Sequence, residues 1–219
     1  PDKNITYKGV VFNEMKGVFS DPESWVDRQL AHSLFPSTTY GYESGGDPKN
    51  IPDLTYEDFK EFHKRHYHPS NSRLFLYGDG DTNEYLQFLN EKYLKDFDRI
   101  EINTSIQHQR SFRKPKRKTF SYPVSSQESV EKKTYVLQGI KLDKAVNYEH
   151  CLGFSILSHL LLGTSASPLR KALIDSQLGS EIIGGGFDDN RADTLFAVGL
   201  KGTETEHEEK ILGIINSTL

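Results

Sequence analysis

The fold class is decided by residues 181–200, EIIGGGFDDNRADTLFAVGL. Two apolar runs, 181–187 and 194–200, predict β-strands, and the polar residues 188–190 between them predict a connecting turn. Further strands are predicted at 73–77 and 134–140. Periodic apolar residues predict helices at 8–19, from 20 to about 34, at 55–68, 83–94, 146–162, 167–175 and 206–218. Because strands and helices mix without strict alternation, the sequence predicts an α+β fold.

The composition is that of a polar but foldable chain. Its 219 residues leave room for about one and a half domains of ~150 residues. The 27 Lys and Arg residues against 31 Asp and Glu give a net charge of −4, which argues against nucleic-acid binding by the whole chain. The single cysteine, Cys151, excludes an intrachain disulfide and a cysteine-based zinc knuckle. The apolar stretch 153–163 is shorter than the ~20 residues of a membrane span.

A change in pattern divides the chain in two. Residues 99–118 show little periodicity and contain six basic residues between Arg110 and Lys118. We expect a basic linker here, with one α+β unit before it at 1–98 and a second after it at 119–219. A solvated linker is the favoured interpretation of the basic run. Binding of nucleic acid or acidic lipid is the alternative.

Glu14 is the most informative single residue. Val11, Met15 and Val18 form the apolar stripe of the first helix, and Glu14 lies at the edge of that stripe. A carboxylate in that place is expected to lose water, and buried charges persist when they are paired or bound to metal. From periodicity alone, the favoured interpretation is an exposed helical Glu that reaches solvent, because buried Glu is rare.

The histidines give a weaker signal for a metal site. His63 and His66 lie three residues apart on one helix face, with His68 close behind, and this spacing could hold a metal. No carboxylate stands at a matching spacing, so we favour a polar helix end whose histidines interact with the helix dipole. His159, inside an apolar stretch, is expected to be a core histidine.

Two further patterns fall short of known motifs. Residues 146–150, VNYEH, have Val146 where the inverted zinc motif His-x-x-Glu-His needs its first ligand. Gly184, Gly185 and Gly186 lack the spacing of a phosphate-binding loop. These glycines instead predict a bent strand or a close approach of backbone.

Several blocks resemble the presequence proteases, which are organellar peptide-degrading enzymes of the pitrilysin family of zinc metallopeptidases, with falcilysin as a relative. The most specific block is YKGVVFNEMKG at 7–17. The others occur in the same order as in that family and are SGGDP at 44–48, LTYEDFKEFH at 54–63, YHPSN at 67–71, GGF at 185–187 and FAVGLKG at 196–202. The resemblance covers most of the chain except the basic linker.

The resemblance implies a zinc site to which this chain contributes one ligand. The family holds one zinc ion with two His of His-x-x-Glu-His and a distal Glu, and that distal Glu matches Glu14. Some relatives carry another Glu seven residues earlier, where this chain has Tyr7. The motif that would supply the general base is absent from the 219 residues and is expected upstream of Pro1. No catalytic residue is therefore expected in this chain, which would be inactive alone.

The same resemblance implies the organisation and the setting of the parent protein. Residues 1–98 would be the C-terminal part of the first, catalytic domain and 119–219 the N-terminal part of a second, similar α+β domain. The parent is expected to be a zinc endopeptidase that degrades short unfolded peptides, such as cleaved targeting presequences, in the mitochondrial matrix or plastid stroma. Its expected partners are those peptides and the remaining domains, without nucleic acid or membrane insertion. The alternatives are a non-catalytic structural homologue of a processing peptidase and a binding module that works through the basic linker.

The predicted linker can be tested by limited proteolysis. Because 99–118 lacks periodicity and is rich in Arg and Lys, trypsin is expected to cut there first. Early peptides should be identified by mass spectrometry. Early cleavage within 40–52, with 99–118 protected, would show that the boundary lies elsewhere.

Overall fold

The computed structural model describes residues 7–219. The chain separates into two compact units, one formed by Pro1–Pro48 together with Ile106–Leu219 and the other by Lys49–Ser105. The second boundary falls inside the predicted linker. The first falls within 1–98, so the first two helices belong to the same compact unit as the C-terminal half of the chain.

The larger unit contains five helices and three strands among the described residues. The helices of this unit are α1 (Val10–Val18), α2 (Pro22–Leu34), α5 (Tyr148–Leu162), α6 (Pro168–Asp175) and α7 (Glu208–Thr218), and the strands are β1 (Thr134–Lys144), β2 (Glu181–Asp188) and β3 (Asp193–Thr203). Two short 3-10 turns, Thr39–Gly41 and Thr205–His207, complete this set. The predicted α+β class is confirmed.

The three strands form an antiparallel sheet in the order β1-β3-β2. Strand β3 is central, and its register pairs Ala197 with Gly139 of β1 and Phe196 with Phe187 of β2. Residues 193–200 of β3 are all buried. A strand covered on both faces has an unbroken apolar run instead of an alternating one, which explains LFAVGL at 195–200.

Each face of β3 packs into a separate apolar cluster. Phe196, Val198 and Leu200 point to one face, where they pack with residues of α6 and α7, namely Leu169, Leu173, Ile211 and Ile215. Leu195 and Ala197 point to the other face and pack with Leu34 and Phe35 at the end of α2. The contact between α2 and the sheet is close, because a Cβ at Gly139 would lie 2.3 Å from Leu30 Cδ1.

The smaller unit, Lys49–Ser105, contains two helices. Helix α3 (Tyr56–His66), predicted over 55–68, is capped by Thr55, whose hydroxyl accepts the Asp58 backbone N–H. Helix α4 (Thr82–Leu89) begins at Asp81 and continues through one wider turn, Asn90–Leu94. The 3-10 turns Ile51–Asp53 and Pro69–Asn71 flank α3.

The predicted strand at 73–77 is wrong for the described chain. These residues have no strand assignment, and Phe75 is 87% exposed. Residues of high strand propensity form a strand when a neighbouring strand supplies hydrogen bonds, and none of the strands within 7–219 pairs with this segment. Helix α2, predicted from residue 20, begins at Pro22 with Asp21 as its N-cap.

The segment 106–112 is fastened to the sheet by a buried carboxylate. Asp193, at the start of β3, is 1% exposed. Its oxygens accept the Gln109 backbone N–H at 2.7 Å and contact His108 Nδ1 at 3.0 Å and Lys141 Nζ at 3.4 Å. The Gln109 side chain in turn accepts the Ser37 backbone N–H at 3.0 Å. The basic segment therefore begins at a fixed point, although 99–118 contains no helix or strand.

Further along, one basic residue of this segment is paired. Arg117 contacts Glu208 and Glu209 at the start of α7, each at 2.6 Å. The assignment of 99–118 as a domain linker stays a prediction. No helix within 7–219 is long and apolar enough to cross a membrane.

Replacing Asp193 by Asn should destabilise the larger unit. Burial opposes ionisation of Asp193, but the Gln109 N–H, His108 and Lys141 outweigh it and hold the pKa of this carboxyl below its ordinary value of 3.8. An amide in its place leaves a buried donor without an acceptor, which costs about 1–3 kcal/mol. Urea unfolding at pH 7 should show this loss.

The pH dependence of that loss has a defined sign. A carboxyl with a lowered folded-state pKa stabilises the fold above pH ~4 and loses this effect as the pH falls through the folded-state value. The difference between the parent chain and Asp193→Asn should therefore shrink below pH ~4. Asp189→Asn, an exposed change in the adjacent turn, is the matched control. An equal effect of both substitutions would contradict the assigned role of Asp193.

Candidate functional site

Glu14 lies in an open position on α1. Met15 is the buried residue of this helix, at 6% exposure, whereas Val11 is 56% exposed and Glu14 itself is exposed. The exposed Glu that periodicity alone favours is therefore confirmed, and the desolvated position is not found, because the apolar stripe is buried at Met15 and open at Val11. Within 7–219 no hydrogen bond or ion pair involves the Glu14 carboxylate. Its assignment as a metal ligand stays a prediction.

Contacts at Met15 and at the end of α1 fix this helix. A Cβ at Gly45 would lie 2.3 Å from Met15 Sδ, so the backbone of the 44–46 loop packs directly on Met15. Arg28 of α2 donates through Nη2 to the Val18 carbonyl at 3.2 Å, and its guanidinium lies 3.9 Å from the centre of the Phe19 ring.

The same guanidinium pairs with the loop that covers Met15. Arg28 Nε donates to Glu43 Oε2 at 2.5 Å, with both side chains mostly buried. Arg28 therefore joins three parts of the chain: the end of α1, helix α2, and the loop after residue 42.

Helix α2 is tied to the sheet at its first turn. Lys201 of β3 contacts Glu181 of β2 at 2.8 Å and Glu23 of α2 at 2.5 Å. The hydrogen bonds to Glu181 and Glu23 raise the pKa of the Lys201 ammonium. Sequence reasoning missed this ion-pair network, because its three members are remote in the chain.

The histidines of α3 contact aromatic rings. His63 stacks on Tyr67 with ring centres 4.5 Å apart, and His66 lies 4.6 Å from Phe62. His68 accepts the Ser70 backbone N–H at 3.1 Å. Among residues 7–219, no group of three His, Cys, Asp or Glu side chains is arranged to hold a metal. The described residues therefore bring no second and third ligand to Glu14.

A polar cluster at the start of α5 was not expected from the sequence. His150 Nδ1 lies 2.5 Å from Asp143 Oδ2, and Asn147 Nδ2 lies 2.8 Å from the same oxygen. The Lys144 backbone N–H and the His150 side chain lower the pKa of Asp143. Because Asn147 is the N-cap of α5, this cluster orders the helix start.

A cavity of about 720 Å³ lies between α5, α6 and β2 in the larger unit. His159 lines it and is exposed, so the prediction of a core histidine is wrong. The close approach of backbone predicted for the triple glycine is confirmed. Gly184 has φ +99°, and a Cβ there would lie 2.6 Å from the backbone carbonyl carbon of Ala197 in β3. Gly186 has φ +82°, and a Cβ there would lie 2.3 Å from Ser158 Oγ, which accepts the Phe187 N–H.

Comparison with known proteins identifies relatives along the whole chain. The family model described as "Peptidase M16 inactive domain" matches residues 53–219. Presequence protease 1, chloroplastic/mitochondrial, of Arabidopsis thaliana is 42% identical over 222 residues, covering 100% of this chain and 20% of that protein. Protein HypA of Clostridium perfringens is also 42% identical, with 100% and 22% covered. Presequence protease, mitochondrial, of Xenopus laevis is 40% identical, with 100% and 22% covered. The resemblance to presequence proteases is confirmed.

The chain spans about a fifth of the length of these curated relatives. Among solved structures, a protease from Helicobacter pylori matches with a TM-score of 0.59 at 16% identity, covering 95% of this chain and 50% of that chain. At that identity the match supports the fold alone.

Proposed function

Because the chain belongs to the peptidase M16 family, we propose that it forms part of a zinc endopeptidase that degrades short unfolded peptides, such as cleaved targeting presequences. The observation that carries this proposal is the 42% identity to presequence protease 1 over the whole chain. Two of these relatives are named as mitochondrial or chloroplastic proteins, which also supports an organellar location, the mitochondrial matrix or the plastid stroma.

Within this enzyme, Glu14 would supply one carboxylate ligand to zinc. A Glu oxygen is an accepted zinc ligand, and Glu14 is exposed, with its carboxylate engaged by none of the residues within 7–219. The remaining ligands and the general base would come from His-x-x-Glu-His, which the 219 residues do not contain. Zinc, when bound, lowers the pKa of its water to ~7 and polarises the scissile carbonyl.

A second candidate function is a non-catalytic structural homologue of a processing peptidase. The description of the matching family model as an inactive domain favours it. The sequence upstream of this chain distinguishes the two candidate functions. The enzyme requires an intact His-x-x-Glu-His there, and the structural homologue does not.

The 219-residue chain alone is expected to bind zinc weakly and to leave peptides uncut, since a single carboxylate cannot build a tetrahedral site. The purified chain should be incubated with zinc and a basic unfolded peptide, and the products followed by mass spectrometry. Cleavage that a chelator abolishes would show that a site has been missed.

In the complete polypeptide, Glu14→Gln is expected to lower zinc affinity and kcat by more than ~100-fold, because even the partners of metal ligands are worth ~10–100-fold. Glu14→Asp should also be poor, since it shortens the side chain by ~1.5 Å, the length of one carbon–carbon bond. Because Glu14 is exposed, thermal unfolding of the metal-free protein should be unchanged in both variants.

The control for this experiment follows from the structure. Glu23, at the start of α2, is unsuitable because it pairs with Lys201. Glu57, an exposed residue in the first turn of α3, is the better match, and Glu57→Gln should retain zinc and turnover. A folded Glu14→Gln enzyme with stoichiometric zinc and the parent rate would show that Glu14 is not a ligand.

A further inference from the structure

Helix α1 has few contacts of its own to hold it in place. It is nine residues long, has no side-chain cap at its N-terminus, and buries Met15 alone among its residues. Helices of this length are marginal in water and take their stability from packing. The position of Glu14 therefore depends on contacts made at the end of α1 and at Met15.

Arg28 supplies several of these contacts at once. Its Nη2 donates to the carbonyl of Val18, the last residue of α1, where helix carbonyls lack partners within the helix. A positive charge is also favoured at this end of a helix. The guanidinium plane covers Phe19, the C-cap residue, so Arg28 contacts both the final carbonyl of α1 and the residue that ends it.

The same side chain reaches the other point of contact through Glu43. The pair between Arg28 and Glu43 holds the loop whose next residues pack on Met15. A planar guanidinium can donate from two of its nitrogens while it lies over a ring, and an ammonium, a compact charge on a flexible stem, does not reproduce this fixed arrangement. The geometry thus specifies arginine at position 28 and not simply a positive charge.

We propose that Arg28 is a positioning residue for Glu14: it fixes α1 against α2 and the 43–46 loop, and so determines where the Glu14 carboxylate stands. Val18 lies four residues, about one helical turn, after Glu14, so displacement of the end of α1 moves that carboxylate. Because α2 is itself tied to β2 and β3 through Lys201, Arg28 places Glu14 in a frame set by the sheet. This inference rests on the proposed zinc role of Glu14.

The first measurement does not depend on zinc. In the complete metal-free polypeptide, Arg28→Gln should speed amide hydrogen exchange at 10–19 by at least ~10-fold while leaving β1, β2 and β3 unchanged, because the sheet does not use Arg28. Glu43→Gln should give a smaller increase at the same residues. Arg28→Lys should restore part of the protection, since it retains the charge but not the paired geometry.

The second measurement tests whether the loosening of α1 changes zinc binding. Arg28→Gln should weaken zinc binding ~10–100-fold, the range typical of residues that hold a ligand in place. At zinc concentrations below saturation the variant should have a lower kcat than the parent enzyme. At high zinc concentrations much of that kcat should return. Arg191→Gln is the matched control, because Arg191 also pairs with a carboxylate, Asp188, and lies over an aromatic ring, Phe35.

The outcomes separate the inference from the function on which it rests. Unchanged exchange at 10–19 in Arg28→Gln would overturn the inference. A second result would also overturn it: Arg28→Gln exchanges faster at 10–19 but binds zinc as tightly as the parent, while Glu14→Gln inactivates the enzyme. In that case α1 is loosened without any effect on the zinc ligand. If Glu14→Gln itself retains zinc and activity, it is the proposed zinc role of Glu14 that fails.

Discussion

The burial of β3 on both faces is the constraint on which the rest of the larger unit depends. Its side chains alternate between two clusters, so α6 and α7 cover one face while α2 covers the other. Burying apolar surface contributes about 25 cal/mol per Å², and a strand that buries both faces gathers this stabilisation from two layers. Helix α2 is thereby held to a sheet whose strands begin at least 100 residues further along the chain.

This arrangement explains where polar interactions are placed. At one end of β3, Asp193 holds the segment at 106–112, and further along the strand Lys201 holds the first turn of α2. Asp193 is buried and fully provided with donors, as a buried carboxylate must be. Lys201 is nearer to solvent, where each ion pair contributes less. Its pair with Glu23 links α2 to the sheet, and its pair with Glu181 joins β3 to β2.

Much of the fold could be predicted from local pattern. The hairpin strands, the helices α2, α5, α6 and α7, and the close approach at the triple glycine all follow from signals within about 20 residues. What local pattern could not supply is the identity of neighbours. Residues 73–77 have the composition of a strand, but no strand of the described chain pairs with them. His159 lies in an apolar run of sequence, but its side chain lines a cavity and is exposed.

The candidate site was predictable to a different degree. Periodicity placed Glu14 at the edge of an apolar stripe and favoured an exposed side chain, which the structure shows. Only the resemblance to presequence proteases assigned it a role as a metal ligand. The contacts of Arg28 with Val18, Phe19 and Glu43 span up to 15 residues and follow no motif, so no sequence signal would have found them.

An exposed carboxylate on a short helix is a poor metal ligand unless its position is fixed. Ligand oxygens must lie about 2.0–2.2 Å from zinc, a tolerance that a helix anchored by one buried Met cannot meet by itself. The surrounding elements therefore have to hold α1 in place. In this chain β3 is fixed by burial of both faces, α2 packs on the neighbouring strand β1, and Arg28 of α2 contacts the end of α1. The burial of a residue as distant in the sequence as Leu195 thus helps to determine the position of Glu14, although the two residues are not in contact.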